Sequence, residues 1–166
     1  MYRGFVVVLR QVVRYLDDMS AKRQRPIITI LSEHSALRVP RRKIASLVDF
    51  VASREKTRFA CVDILIVDDD AMSTHNWTYL KHRGTTDVIS FDLSEPGDSG
   101  LTAQLIISAE TARRVGPEND LSPQTELLLY ILHGLLHVIG YDDQTPEDRE
   151  HMTRRQESLL GDFRAR

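Results

Sequence analysis

Cys61 is the only cysteine in the chain. That excludes an internal disulfide and fits a reducing compartment. It lies in the apolar, strand-like run Phe59–Val67, so its expected role is packing. No charge excess is present either: 22 Lys and Arg against 24 Asp and Glu leave a net charge of −2. A general pull toward nucleic acid is thereby excluded, and any RNA contact must come from a local basic face. No apolar run reaches the roughly 20 residues of a membrane helix. The apolar residues 5–9 are cut short by Arg10 and Arg14 and lack a small-residue cleavage site, unlike a secretory signal. A cytoplasmic protein without a membrane partner is therefore expected. Internal repeats and low-complexity segments are absent. With 166 residues, one domain with a core of its own is expected.

Residues 1–24 read as an N-terminal extension, helical or poorly ordered. Val6, Leu9, Val12, Val13 and Leu16 make a helix-like stripe, and a charged segment follows. The packed domain is expected over residues 25–166, beginning with the β-rich run 27–31. After Pro40, Ile44, Leu47, Val48 and Val51 recur at helical spacing. Phe59–Val67 reads as a second strand. Asp68, Asp69 and Asp70 close it, and they are expected to cap the next helix and face solvent rather than hold a metal. A short helix over 71–80, a strand over 86–93, a turn over 94–100 and a strand over 101–107 come next. Ser108 is the expected cap of another helix. Ser122, Pro123 and Glu126 mark the start of an apolar helix. Thr145, Pro146 and Asp148 mark the last one, whose apolar face holds Met152, Leu159 and Leu160. This order predicts an α+β fold: one domain, with a small mixed sheet covered by helices.

The apolar helix carries His133 and His137, four residues apart. A helix puts such a pair on one face, where two imidazoles can grip one ion. Gly140 then ends the helix in the left-handed conformation, and the turn brings Asp143 within reach as a third ligand. Three protein ligands and an open fourth position describe a catalytic zinc site. The spacing H-x-x-x-H-x-x-G-x-x-D matches the metzincin protease layout, with Asp in place of the last His. Those proteases carry their general base, a Glu, directly after the first His. Here that residue is Gly134. The competing reading is a hydrogen-bonded polar network inside the core.

The string H-G-L-L-H-V-I-G-Y-D-D at 133–143 resembles the YbeY family of rRNA-maturation endoribonucleases, whose pattern is H-G-x-L-H-x-x-G-Y-D-H. Asn76 and Tyr79 followed by T-D-V-I-S-F at 86–91, I-S-A-E-T-A at 107–112, and Met152 with E-S-L-L at 157–160 extend the resemblance over about residues 26–160. The resemblance implies an α+β fold, one zinc ion, and a role in 3′-end processing of small-subunit rRNA and in ribosome quality control. His133 and His137 match the family's first two metal ligands, and Asp143 stands where the family has its third His.

Three positions depart from the family pattern. A carboxylate at Asp143 still binds zinc, but it leaves less positive charge on the ion and a weaker Lewis acid. Asp142 is expected to support the site from behind, and His151 is the one other stand-in for the missing His. Leu80 occupies a position where many members have Arg, and Lys81, His82 or Arg83 could supply the charge. Ala103 and Gln104 replace a common Gly-Asp, which suggests a differently shaped loop.

Lys81 or Arg83 could stabilise the charge of a phosphoryl transition state. No nucleophile or general base stands out. The candidate phosphate-contacting patches are Arg38, Arg41, Arg42 and Lys43; Lys81, His82 and Arg83; and Arg113 with Arg114. Trp77 and Tyr79 are expected to pack rather than stack on bases. His34, His75 and His82 have no partners at ligand spacing. The leading expectation is thus a zinc-dependent, single-strand-specific endoribonuclease acting on the small ribosomal subunit. The alternatives are a zinc metallopeptidase with a His-His-Asp site and a non-catalytic ribosome assembly factor.

Overall fold

A computed structural model describes residues 25–33 and 37–166. The N-terminal stripe and His34 lie outside them. The described residues form four strands and five helices in the order β1 (Ile27–Ser32), α1 (Arg41–Arg54), β2 (Phe59–Val67), α2 (Asp69–Leu80), β3 (Val88–Asp92), β4 (Leu101–Ser108), α3 (Ala109–Glu118), α4 (Pro123–Ile139) and α5 (Pro146–Arg164). The sheet order is β1-β2-β4-β3. The β1–β2 and β2–β4 pairs are parallel, and β3 runs antiparallel to β4. The fold is a single small α+β domain with a mixed sheet, as the element order predicts.

Strand alternation divides the core in two. Val62, Ile64, Ile66, Ala103, Leu105 and Ile107 face one way, into a large cluster with α1, α3, α4 and α5. On the other face, Val67, Ile89 and Ile106 gather with Met72 of α2. Helix α4 is apolar nearly all round because it packs directly on β3 and β4 while α1, α3 and α5 flank it. Gly134 makes the closest approach: a Cβ there would lie 2.8 Å from Leu105 Cδ2 and 3.0 Å from Val88 Cγ2. Burial of this helix anchors His133 and His137 to a rigid layer.

Several sequence expectations need correction. Asp68 does cap α2, accepting from the Ala71 N–H at 2.8 Å. Asp69, however, is not a solvated acid. Its Oδ1 accepts from the Ser108 hydroxyl at 2.5 Å and the Thr111 hydroxyl at 2.9 Å, and Oδ2 lies 3.7 Å from Arg114. It thereby ties α2 to the start of α3, which no local pattern could foretell. Ala103 and Gln104 form no loop, since both lie inside β4 and pair with Val62 and Asp63. Glu126 begins α4 but is buried, with Oε1 accepting from the Asn119 amide at 3.2 Å. Strand β3 starts only at Val88, because the Asp87 carboxylate accepts from the Val88 N–H at 2.9 Å and the Thr86 hydroxyl at 3.0 Å.

Candidate metal centre

Helix α4 starts as its residues predict. The Ser122 hydroxyl accepts from the Thr125 N–H at 3.2 Å, and Pro123 fills a position where the missing N–H costs nothing. It ends at Gly140, with φ of 111°. The Gly140 N–H reaches the Leu136 and His137 carbonyls, and the Tyr141 N–H reaches Leu136 at 3.0 Å. This reversal carries the chain back over the last turn of the helix. Asp142 shapes the next turn: its Oδ1 accepts from the N–H groups of Asp143 at 2.8 Å and Gln144 at 3.2 Å. That carboxylate is spent on presenting Asp143. Arg149 adds a hydrogen bond to the Asp143 carbonyl at 3.1 Å, and the Thr145 hydroxyl caps α5.

The three side chains converge. The Nε2 atoms of His133 and His137 are 3.0 Å apart, and Asp143 Oδ2 lies 4.0 Å and 3.8 Å from them. Among the described residues this is the one group of His, Cys, Asp or Glu able to hold a metal ion, with its ligand atoms all within 4.8 Å of one another. The tautomers suit that use. His133 Nδ1 donates to Gln156 Oε1 at 2.9 Å, and His137 Nδ1 donates to the Tyr141 carbonyl at 3.1 Å. Both Nδ1 partners are oxygens, which accept, so Nδ1–H satisfies each of them and leaves the Nε2 atoms facing a common space. Two Nε2 lone pairs 3.0 Å apart are satisfied by a cation or a proton shared between them. Bonds of about 2.0 Å in a tetrahedron put ligand atoms roughly 3.3 Å apart. The pair is close to that spacing, and a small inward swing of Asp143 completes it. Side-chain exposure of 27%, 27% and 43% leaves the trio open on one side. The residues therefore fit a divalent ion with nitrogen and oxygen ligands and room for a substrate atom.

Sequence reasoning missed the supports. Gln156, one turn short of the apolar end of α5, fixes His133. Glu55, directly after α1, has a side chain only 8% exposed. It accepts from Arg155 Nε at 2.8 Å and Nη2 at 2.6 Å, and from the Tyr141 hydroxyl at 2.9 Å. Burial, then the Glu55 carboxylate, pushes the Tyr141 hydroxyl above its ordinary value. Burial pulls the Arg155 guanidinium down, but Glu55 more than reverses this and its pKa is raised. This network locks the residue whose carbonyl orients His137. Its partners are 86 and 100 residues away in sequence, so no motif or period contains them. Glu55→Ala is expected to cost about 2 kcal/mol and about tenfold in metal affinity, since it strands Arg155 and loosens Tyr141. Urea unfolding and a divalent-ion titration measure the two effects; unchanged metal affinity would separate the network from the site.

Gly134 bears on the peptidase alternative. It faces the sheet, tightly enclosed by Leu105 and Val88, so the place of a metzincin base is filled by the fold. Lys81 and Arg83 are held at the end of α2: Lys81 Nζ donates back to the Thr78 carbonyl at 3.1 Å, and the Arg83 guanidinium lies 5.9 Å from the Trp77 ring centre. His151 takes no place in the trio and stacks on Tyr141 at 5.5 Å. His75 stacks on Tyr79, and His82 is exposed. The packing expected for Trp77 and Tyr79 is not seen: they are 51% and 54% exposed, with Tyr79 edge-on to Phe91 at 5.2 Å. Both stand on α2 beyond the small cluster that Met72 seals, so the core has no room that requires them. In the Arg113–Arg114 patch, Arg114 is turned toward Asp69 and Thr111.

Comparisons with known proteins identify the family. A family model described as Endoribonuclease YbeY matches residues 29–164. The chain is 40% identical over 122 residues to "Endoribonuclease YbeY" of Rhodopirellula baltica, a match that covers 71% of this chain and 61% of that relative. It is 38% identical over 142 residues to the protein of the same name from Syntrophotalea carbinolica, covering 79% of this chain and 95% of the relative. The solution structure of a Thermotoga maritima protein superposes with a TM-score of 0.53 at 23% identity, over 84% of this chain and 93% of that one, and so shares the fold. On the match over residues 29–164 and these identities, the chain belongs to the YbeY endoribonuclease family.

Proposed function

We propose that this protein is a zinc-dependent, single-strand-specific endoribonuclease of the cytoplasm. Its substrate in this reading is the 3′ end of small-subunit (16S) rRNA, and it serves rRNA maturation and ribosome quality control. The observation that carries the proposal is the convergence of His133, His137 and Asp143 in a chain of this family. Two imidazoles and a carboxylate suit zinc, and one ion fills the site. When bound, that ion supplies Lewis-acid polarisation of a phosphoryl oxygen. The chain's own contribution is positioning. Gln156 and the Tyr141 carbonyl hold both Nε2 atoms ready, Asp142 holds the loop, and the Gly134 contact seats the helix on the sheet. The partly exposed side of the trio gives an RNA strand access, since a single strand can present its phosphate without unpairing.

Stripping metal with a chelator is expected to abolish cleavage of a single-stranded rRNA fragment, and zinc to restore it, while a duplex of the same sequence stays intact. Cleavage that survives chelation, or hydrolysis of peptides in place of RNA, contradicts the proposal. One observation favours a second reading, that of a non-catalytic assembly factor: Lys81 and Arg83, the cations nearest in sequence to the absent Arg at Leu80, are both engaged on α2. Under that reading the protein binds small subunits and leaves RNA uncut. The working domain is residues 25–166 in either case. A chain starting at Gln24 is expected to fold and bind zinc like the whole; lost zinc would give residues 1–24 a part in the site.

A further inference from the structure

A second concave site lies between α1, the start of α4 and the end of α5, a cleft of about 860 Å³. Thr125 on its wall is eight residues from His133, about 12 Å along the axis of α4, so the cleft is separate from the metal centre. Its lining cations come from two segments far apart in the chain: Arg42, Lys43 and Arg54 from α1, Arg164 at the end of α5 and Arg166 just past it. Against these five stand Asp49 in the wall and Asp162, which pairs with Arg54 at 3.1 Å. The local side-chain balance is +5 − 2 = +3, in a chain whose net side-chain charge is −2. Among the described residues, Arg42, Lys43 and Arg164 form no ion pair.

The floor is aromatic. Phe50 and Phe163 have ring centres 5.5 Å apart, and the guanidinium groups of Arg54 and Arg166 lie over the Phe50 ring at 5.2 Å and 5.1 Å. Cation–π contact holds two planar forks in place before any ligand arrives, which lowers the entropy cost of binding phosphate. An ordinary solvated face would spread its cations over a convex helix surface; here two distant segments converge on one hollow, with Arg54 and Arg166 seated on the buried Phe50 ring.

We propose that this cleft is an exosite for single-stranded RNA, holding the phosphodiester backbone of the same strand that is cut at the metal centre. The proposal rests on the RNA-cleaving reading above. Single-stranded nucleic acid sites are built on a cationic track along the backbone, and the converging arginines and lysine supply one here; Phe50, only 5% exposed beneath two guanidinium groups, organises those cations rather than stacking a base. The cleft would set affinity for long strands while leaving the chemistry of short ones alone.

The test is the double variant Arg42→Glu, Lys43→Glu in the full chain. Both residues are exposed in the first turn of α1, which lacks an acidic residue, so the added negative charge favours the helix and thermal unfolding should not move. Anisotropy with a single strand of about 20 nucleotides is expected to show at least tenfold weaker binding. Loss of two phosphate contacts lowers the slope of log K against log salt by about 1.4. Binding and cleavage of a trinucleotide, too short to span both sites, are expected to stay unchanged. Native affinity and salt slope in the variant overturn the exosite, as does equal weakening toward the trinucleotide, or tighter native binding to poly-glutamate than to RNA. If the native protein cuts RNA but the variant binds as the native does, the exosite alone fails. If the native protein binds long RNA through these residues without cutting it, the nuclease reading alone fails.

Discussion

Gly134→Glu is expected to unfold the protein and to yield no peptidase. The substitution restores the residue that a metzincin carries after its first metal-binding His. In this fold the position points into the sheet, where even a Cβ meets Leu105 Cδ2 at 2.8 Å and Val88 Cγ2 at 3.0 Å. Leu105 is fully buried, so it cannot swing out to make room. Overpacking of this kind costs about 1–3 kcal/mol, and a carboxylate forced against an apolar sheet adds several more. The sum approaches the ~5–15 kcal/mol that holds a domain together. Gly134→Ala is the milder control: helix propensity returns about 1 kcal/mol, leaving a net loss of up to about 2 kcal/mol. Urea unfolding of the three proteins gives the order native, Ala, Glu. A Glu variant as stable as the native protein would mean that α4 is seated differently on β4.

His137→Ala is expected to remove both metal binding and RNA cleavage. His137 contributes an Nε2 lone pair 3.0 Å from that of His133, and its Nδ1 ties the last turn of α4 to the Tyr141 carbonyl. Its loss leaves two protein ligands, fewer than a catalytic zinc site uses. Outer supports of such sites typically matter about 10–100-fold. Gln156→Ala should fall in that range, and His137→Ala well beyond it. A competition titration against a coloured chelator resolves the two, with cleavage of single-stranded RNA measured alongside. Equal effects of the two substitutions would place His137 among the supports and out of the ligand set. Stability discriminates in the other direction: the ring is only partly buried, so the apo forms should unfold alike.

Much of this was legible because the site is built from local signals. Ser122 with Pro123, two His at one helical spacing, Gly140 and Asp143 lie within one stretch of chain, and each is fixed by backbone chemistry that a sequence displays. Strand β2 was equally plain, since nine residues of β-forming character end in an acidic cap. The hidden parts are those made by tertiary neighbours. Glu55 looks like the frayed end of a charged helix until Arg155 and Tyr141 close on it. Asp69 looks like one of three solvated acids until Ser108 and Thr111 donate to it. Gly134 reads from sequence as a missing base, whereas in the fold it is the contact that lets α4 lie on β4. Trp77 and Tyr79 misled in the opposite sense, because large rings usually pack and these stand outside the space the core needs. The basic cleft is the extreme case: Arg42 and Arg164 are separated by most of the domain.

The most direct test of the central claim is the zinc content per chain measured together with cleavage of single-stranded rRNA, in the native protein and in Asp143→Ala. The His-His-Asp account expects one zinc per native chain with cleavage, and loss of both in the variant, because Asp143 Oδ2 is the only carboxylate oxygen among the described residues grouped with the two imidazoles. Zinc retained at full stoichiometry in Asp143→Ala would move the third ligand elsewhere, and a native protein that holds zinc yet leaves the RNA intact would contradict the account outright.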